Sequence, residues 1–247
     1  MNLRNKTLIV TGTSRGIGQA LSLELARAGV NLVLCARSPE SLEETHLAVR
    51  ALGVAAIAVP GDVVSAQTVQ ALVSAAQELG NFHGFIHNAG VLNAGPLLWE
   101  LKEALWREVL DSQLLAGYQL IRACVPLLLE TGGGVAVFLG SEAAELNLAG
   151  IGAYAVAKAG VEHLARQLAA EAPQIVSFIY RPGPVETRMQ HSARTASGGG
   201  AKALHRVFRG FQEQGMLRSP QEAAAALVRI LTDNPHRFHG KIATFSR

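Results

Sequence analysis

Short apolar runs alternate along the chain with longer stretches in which apolar residues recur every three or four positions. The runs at 7–10, 31–36, 54–59, 82–87, 134–140, 174–180 and 241–245 read as strands. Between them, 16–28, 39–52, 65–79, two stretches reaching about 130, then 151–171 and 220–232 carry helical spacing. Residues 32–36 and 135–139 are apolar at every position, as in strands covered on both faces. Strands alternating with helices predict βαβ units. The expected fold is α/β: a Rossmann-type doubly wound parallel sheet of about seven strands with helices on both faces. A length of 247 residues suits a single domain of this kind, 1–247. The insert at 184–218 is too long for an ordinary loop and predicts a substrate lid. Within it Leu204, Val207, Phe208 and Phe211 recur at helical spacing, so an amphipathic helix is expected there. Gly198-Gly199-Gly200 predicts a hinge.

Composition narrows the classes. Hydrophobic residues make up 49% and charged residues 17%, which supplies a core and argues against disorder. No consecutive apolar run reaches the ~18 residues of a membrane span, so no membrane association is expected. The N-terminus runs from a polar start into a strand without a signal-like apolar region, and a cytoplasmic location is expected. A net charge of +3 gives little reason to expect nucleic acid as a partner. The charge is uneven, however: 181–218 holds seven basic residues against two acidic ones. Cys35 and Cys124 read as buried reduced thiols, and no metal site is expected.

The first strand runs into Thr11-Gly12-Thr13-Ser14-Arg15-Gly16-Ile17-Gly18, with a helix directly after. Glycines let a backbone turn sharply and approach a pyrophosphate, and the helix N-terminus offers free N–H groups with a positive dipole end. Gly12, Ser14, Arg15, Gly16, Ile17 and Gly18 are therefore cofactor-binding candidates. An NAD-binding fold usually ends its second strand with an acid for the ribose 2′-hydroxyl. Here that strand ends Cys35-Ala36-Arg37-Ser38. Arg37, joined by Arg15, suits a 2′-phosphate, so NADP(H) is the expected cofactor; the alternative is two solvated surface charges. Further on, Tyr154 and Lys158 stand four apart on a predicted helix and share one face.

The glycine spacing G-x-x-x-G-x-G is followed in order by Asp62-Val63, His87-Asn88-Ala89-Gly90, Ser141, Tyr154-x-x-x-Lys158 and Pro182-Gly183 with Thr187. The tyrosine falls thirteen residues after the serine. This series, spanning essentially the whole chain, resembles the short-chain dehydrogenase/reductase family. The resemblance implies an NADPH-dependent reduction of a small-molecule carbonyl, a ketone or vicinal dicarbonyl. Tyr154 would be the general acid, Ser141 would hold the substrate oxygen, and Lys158 would assist and hold the nicotinamide ribose. A phenol titrates near ~10, so Lys158 and the positive nicotinamide ring are expected to pull Tyr154 toward neutrality. Asp62 and Val63 would meet the adenine, and Asn88, Ala89 and Gly90 would pack under its ribose. Pro182, Gly183, Val185 and Thr187 would line the nicotinamide end. Gln113 stands where the family normally has an asparagine of a proton relay. Arg181 stands where most members carry a small residue. The segment 174–189, the lid and the clipped ending are similar to the sepiapterin and benzil reductase branch, although Thr244 replaces an aspartate that grips pterins. The resemblance also implies a homodimer or homotetramer through the helices at 112–129 and 151–168. The competing reading is a non-catalytic NADP(H)-binding regulatory protein on the same fold.

Overall fold

The computed structural model describes residues 1–245. The strands are β1 Thr7–Thr11, β2 Asn31–Ala36, β3 Ala56–Pro60, β4 Phe82–His87, β5 Gly134–Leu139, β6 Ile175–Arg181 and β7 Ile242–Thr244. They form one sheet, all neighbours parallel, in the order β3-β2-β1-β4-β5-β6-β7. The winding reverses between β1 and β4, and a crevice opens outside their carboxyl ends, where such sheets bind ligands.

Side-chain alternation divides the core in two. Leu8, Val10, Leu32, Leu34, Val135 and Val137 face one layer, built by α1 (Gly16–Arg27) and α9 (Pro220–Thr232). Ile9, Val33, Phe85, Ala136 and Phe138 face the other, built by α3 (Ala66–Leu79), α5 (Ala116–Glu130) and α6 (Gly152–Glu171). A two-residue period on a sheet covered on both faces explains why these strands read as unbroken apolar runs. Helix α9 starts on a capping box: Ser219 and Glu222 each satisfy the other's backbone N–H, with Pro220 in the first turn. The edge helix α2 (Pro39–Arg50) ends two residues earlier than its periodicity suggests, and β3 begins at Ala56. There Gly53 turns at φ +83, which stops both elements.

Helix α4 (Glu103–Leu110), a π-helical turn (Asp111–Leu115) and α5 run on as one rod. This rod of 28 residues, with mean hydropathy 1.2 in its most apolar window, is long and apolar enough to cross a membrane. The sequence pattern did not foresee this, because polar residues interrupt every run. Part of the rod packs on β4, α3 and α6. Leu115, Tyr118 and Leu129 are exposed on it.

The insert at 184–218, expected to act as a lid, contains two helices, α7 (Arg188–Arg194) and the expected amphipathic α8 (Ala201–Glu213). Its glycines do not form a free hinge. Gly200 N donates to Gly95 O (2.9 Å), Gly95 N to Gly150 O (2.8 Å), and Gly199 N to Glu100 Oε2 (2.9 Å). A Cβ on Gly200 would lie 2.4 Å from Gly150 Cα, so this glycine serves a close approach of backbones. The insert is thereby stitched to the loops after β4 and β5.

Candidate active site

A cleft of about 950 Å³ lies at the carboxyl ends of β1, β2, β3 and β4. Gly12, Ser14, Arg15, Gly16, Ile17 and Gly18 form one wall. Gly12 and Gly16 take φ +71 and +58, and a Cβ on Gly18 would lie 2.1 Å from Gly12 O. The turn therefore closes on itself only with glycine at these places. Asn88 braces it by donating from Nδ2 to Thr11 O (3.0 Å) and Gly12 O (3.1 Å). Arg15, at the N-cap of α1, makes no side-chain cap, which leaves the first-turn N–H groups facing the cleft for an anion.

Arg37, Asp62 and Val63 line the opposite side, with Ala89 and Gly90 between. Arg37 Nη1 stands 3.5 Å from Glu108 Oε1, a weak pair of exposed side chains that leaves the guanidinium available. Arg188, which the sequence reading passed over, also faces the cleft. Thr187 lines it and caps α7 by accepting from Gln190 N. The length of this cleft, its glycine wall, the free helix terminus and the arginines fit a nicotinamide dinucleotide. Gly183 turns at φ +74 into a neighbouring cavity of about 420 Å³, which it lines with Arg181, Pro184 and Arg218. Val185 is buried in a bridge to Arg218, and Pro182 O faces Arg218 Nη1 at 3.5 Å. Gly183 thus lines this second cavity, and the bridge to Arg218 fixes the strand extension that carries it.

A buried chain links the cradle to the rod. His87 Nε2 lies 2.7 Å from Gln113 O, and Nδ1 lies 3.1 Å from Thr11 Oγ1. A carbonyl only accepts, so Nε2 carries the proton and Nδ1 accepts from Thr11. Thr11 Oγ1 in turn accepts from Asn88 N (3.2 Å) and Ala89 N (3.1 Å). Burial pushes His87 down to about 4, so the ring is neutral near pH 7. The sequence held one sign of this role, a histidine opening the Asn88-Ala89-Gly90 motif. Gln113 uses its Nε2 to donate to Val91 O (2.9 Å), and its buried Oε1 has no partner among the described residues.

Ser141 follows β5 and caps a 3-10 turn (Glu142–Ala144), where its Oγ accepts from Ala143 N at 3.2 Å. Its hydroxyl lies near enough to Tyr154 to favour the phenolate. Tyr154 sits in the first turn of α6. Burial pushes its phenol up to about 12; the Ser141 hydroxyl pulls it back, while the Glu142 and Glu162 carboxylates push it further up. This reverses the depressed phenol expected from the sequence. Lys158 Nζ is 5.5 Å from the tyrosine ring centroid and donates instead to Leu139 O at 2.6 Å. A phenol above neutrality is protonated, the form a general acid needs. Burial lowers the Lys158 ammonium to about 8, and Glu162 draws it back up. Beyond the hydroxyl the surroundings are apolar: Leu92, Ala143, Met189, Ala193, Leu204 and Phe208 pack with Tyr154. Leu92 and Met189 belong to the same apolar cluster as Tyr154 and also line the cleft, which brings the tyrosine beside it.

A glycine-lined dinucleotide cleft beside a serine, a tyrosine and a buried lysine defines an oxidoreductase of the Rossmann class. The chain belongs to the short-chain dehydrogenase/reductase family: residues 6–198 match the short chain dehydrogenase family. It is 34% identical over 192 residues to a 3-oxoacyl-[acyl-carrier-protein] reductase, FabG, of Pseudomonas aeruginosa, covering 76% of this chain and 77% of that one. It is 29% identical to the oxidoreductase YIR035C of Saccharomyces cerevisiae over 91% of this chain and 89% of that one. The crystal structure of the KRED1-Pglu enzyme superposes with a TM-score of 0.86 at 28% identity, covering 96% of this chain and 100% of that one. Family members use a nicotinamide cofactor and act on small molecules.

Proposed function

We propose that this oxidoreductase is an NADPH-dependent carbonyl reductase acting on a ketone or vicinal dicarbonyl with apolar substituents. The observation that carries the reading is the Ser141–Tyr154 pair, roofed by the apolar lid and opening on a cleft whose β2 end offers Arg37 in place of an acid. The likeness of the segment 174–189 and the ending to benzil reductases supports the dicarbonyl.

Gly12 to Gly18 and the α1 terminus would hold the pyrophosphate, and Arg15 and Arg37 the 2′-phosphate. A bound nicotinamide supplies the hydride. Ser141 Oγ, kept an acceptor of Ala143 N, directs its proton to the carbonyl oxygen and orients it. Tyr154 delivers its phenolic proton to the same oxygen as charge develops there. Lys158, as an ammonium, stabilises the phenolate left behind. Leu92, Met189 and Phe208 exclude water from the reacting carbon.

The test is NADPH consumption over aromatic diketones, pterins, quinones and keto acids. Turnover is expected to be highest on aromatic diketones. The Gln113 amide, turned to Val91, favours a second reading, a cofactor-binding protein without catalysis. Tight NADPH binding with no turnover on any member of the panel would establish it. The exposed Leu115, Tyr118 and Leu129 on the rod, with Val156 on α6, support assembly into a homodimer or homotetramer. A monomer in sedimentation at micromolar concentration would contradict that.

A further inference from the structure

Lys158 and Glu162 stand one turn apart on α6 and grip the same three residues at the end of β5. Lys158 Nζ donates to Leu139 O (2.6 Å), and Ser141 N donates to Glu162 Oε1 (3.2 Å). Between them lies Gly140. A Cβ there would fall 2.6 Å from Glu162 Oε1 and 2.4 Å from the Ile179 side chain, so only glycine admits the carboxylate. Glu162 is 2% exposed. Arg181 forks onto it, Nε to Oε1 and Nη2 to Oε2, both at 2.7 Å. The same Nη2 reaches Glu145 at 2.7 Å, just past the 3-10 turn. One guanidinium thus ties α6 to both ends of the serine loop. Replacing a buried ion pair by apolar side chains is often neutral or stabilising, so stability alone is a poor account of this one.

We propose that Glu162 is a positioning residue of the carbonyl reduction: clamped by Arg181, its carboxylate fixes Ser141 through the backbone N–H and holds the same strand end to which Lys158, one turn away, donates. The chemistry rests on the carbonyl reductase reading above. Lys158 and Glu162 at i and i+4 are neighbours on the helix surface, where opposite charges attract. Burial draws the ammonium of Lys158 down to about 8, and Glu162 is the group that opposes this. Other titratable and apolar groups face the cluster from each neighbouring element. From β4, His87 is neutral. From the serine loop come Glu142 and Glu145, and from β6 Arg181. From α6 itself come Tyr154 and Arg166, which touches Glu162 only at 3.5 Å from the exposed side. Helix α4 and the π turn present Val109 and Leu114, and α5 presents Gly117. Among these, Glu162 is the carboxylate bound to the same strand end as Lys158.

The experiment compares wild type, Glu162→Gln and the apolar double variant Glu162→Met/Arg181→Met. The readouts are kcat, KM, NADPH affinity and the Nζ titration of Lys158 by NMR of 15N-lysine-labelled protein. For Glu162→Gln, kcat is expected to fall about tenfold to a hundredfold, as for a misplaced reacting group, with NADPH affinity unchanged. The Lys158 titration is expected to move down by about one pH unit, the usual effect of losing a nearby opposite charge. The double variant is expected to regain thermal stability without regaining kcat. If Glu162→Gln does not fold, the double variant carries both readouts. An unshifted Lys158 titration, or a double variant with wild-type kcat, overturns the proposal and leaves a purely structural pair. The titration needs no turnover. A wild type that reduces no carbonyl would therefore overturn the function, while the titration still judges Glu162.

Discussion

The two halves of this site are built in opposite ways. The cofactor cleft is made by backbone: Gly12, Gly16 and Gly18 fold the turn, while Asn88 and the Thr11–His87 chain lock it by hydrogen bonds. The substrate face is made by side chains from four separate segments: Leu92, Ala143, Tyr154, and the lid residues Met189, Leu204 and Phe208. A backbone-made half tolerates few residue types at fixed spacing, because a Cβ in the wrong place collides with a carbonyl. A side-chain-made half tolerates any set that fills the volume. The cleft is therefore the more constrained half in sequence, and the face around Tyr154 the more permissive one.

Four measurements test the difference between the halves. The largest effect falls where the halves meet. Tyr154→Phe removes one transferable proton and little packing, so turnover should drop by about 10²–10⁴-fold, the range of general acid catalysis. NADPH affinity, measured by fluorescence, should be kept; substantial turnover in this variant excludes Tyr154 as the acid. Next comes the cleft alone. Arg37→Asp should lower kcat/KM with NADPH by about tenfold to a hundredfold, the worth of one charge-assisted hydrogen bond, and leave NADH nearly unaffected. Equal loss with both cofactors would place the 2′-phosphate elsewhere.

The third effect is titration of Lys158. The ammonium is present below about 8 and lost as pH rises through it. In kcat/KM, which reports the free enzyme, activity should fall about tenfold per pH unit above that point. The fold is not what fails: the unfolded lysine holds its proton to a higher pH, so this group makes the native state more stable across the same window. An alkaline limb displaced above pH 10 would show that Lys158 titrates outside the reaction. The smallest effect belongs to the substrate side. Phe208→Ala should raise KM for the carbonyl severalfold, with kcat within about threefold and NADPH affinity unchanged, because it removes uniform binding. A larger loss in kcat would make the lid part of the chemistry.

The same contrast explains what could be read beforehand. The parallel sheet and its order of elements were legible because two-residue and 3.6-residue periods are local. The glycine turn was legible because its spacing is a backbone requirement. The tyrosine's proton was not. Its phenol is pushed up chiefly by burial, and Lys158 turns to the Leu139 carbonyl; both follow from tertiary packing. The Gly198 to Gly200 run reads equally well as a hinge or as a close approach, and only the position of Gly95 and Gly150 decides between them. The segment of Pro182, Gly183 and Val185 is pinned by a bridge to Arg218, far along the chain, which no local pattern announces. Arg181 stood out as an unusual residue, but its meaning lay in Glu162 on another element.

The neighbour relation of β1 and β4 has a consequence for how the chain is born. Strand β1 needs β4 on its second edge, and Thr7 pairs with Phe82 only after β2, α2, β3 and α3 have been made. While the ribosome is still within that interval, β1 carries an open edge of unpaired N–H and C=O groups beside the apolar Leu8, Ile9 and Val10. Closing it requires a long-range encounter, which is slow by its entropy. Nascent chains released before Phe82 should therefore collect in aggregates, and those released after His87 should begin to appear in the supernatant. Fractionating a ladder of stalled translation products would locate that transition, and a solubility step well away from β4 would contradict it.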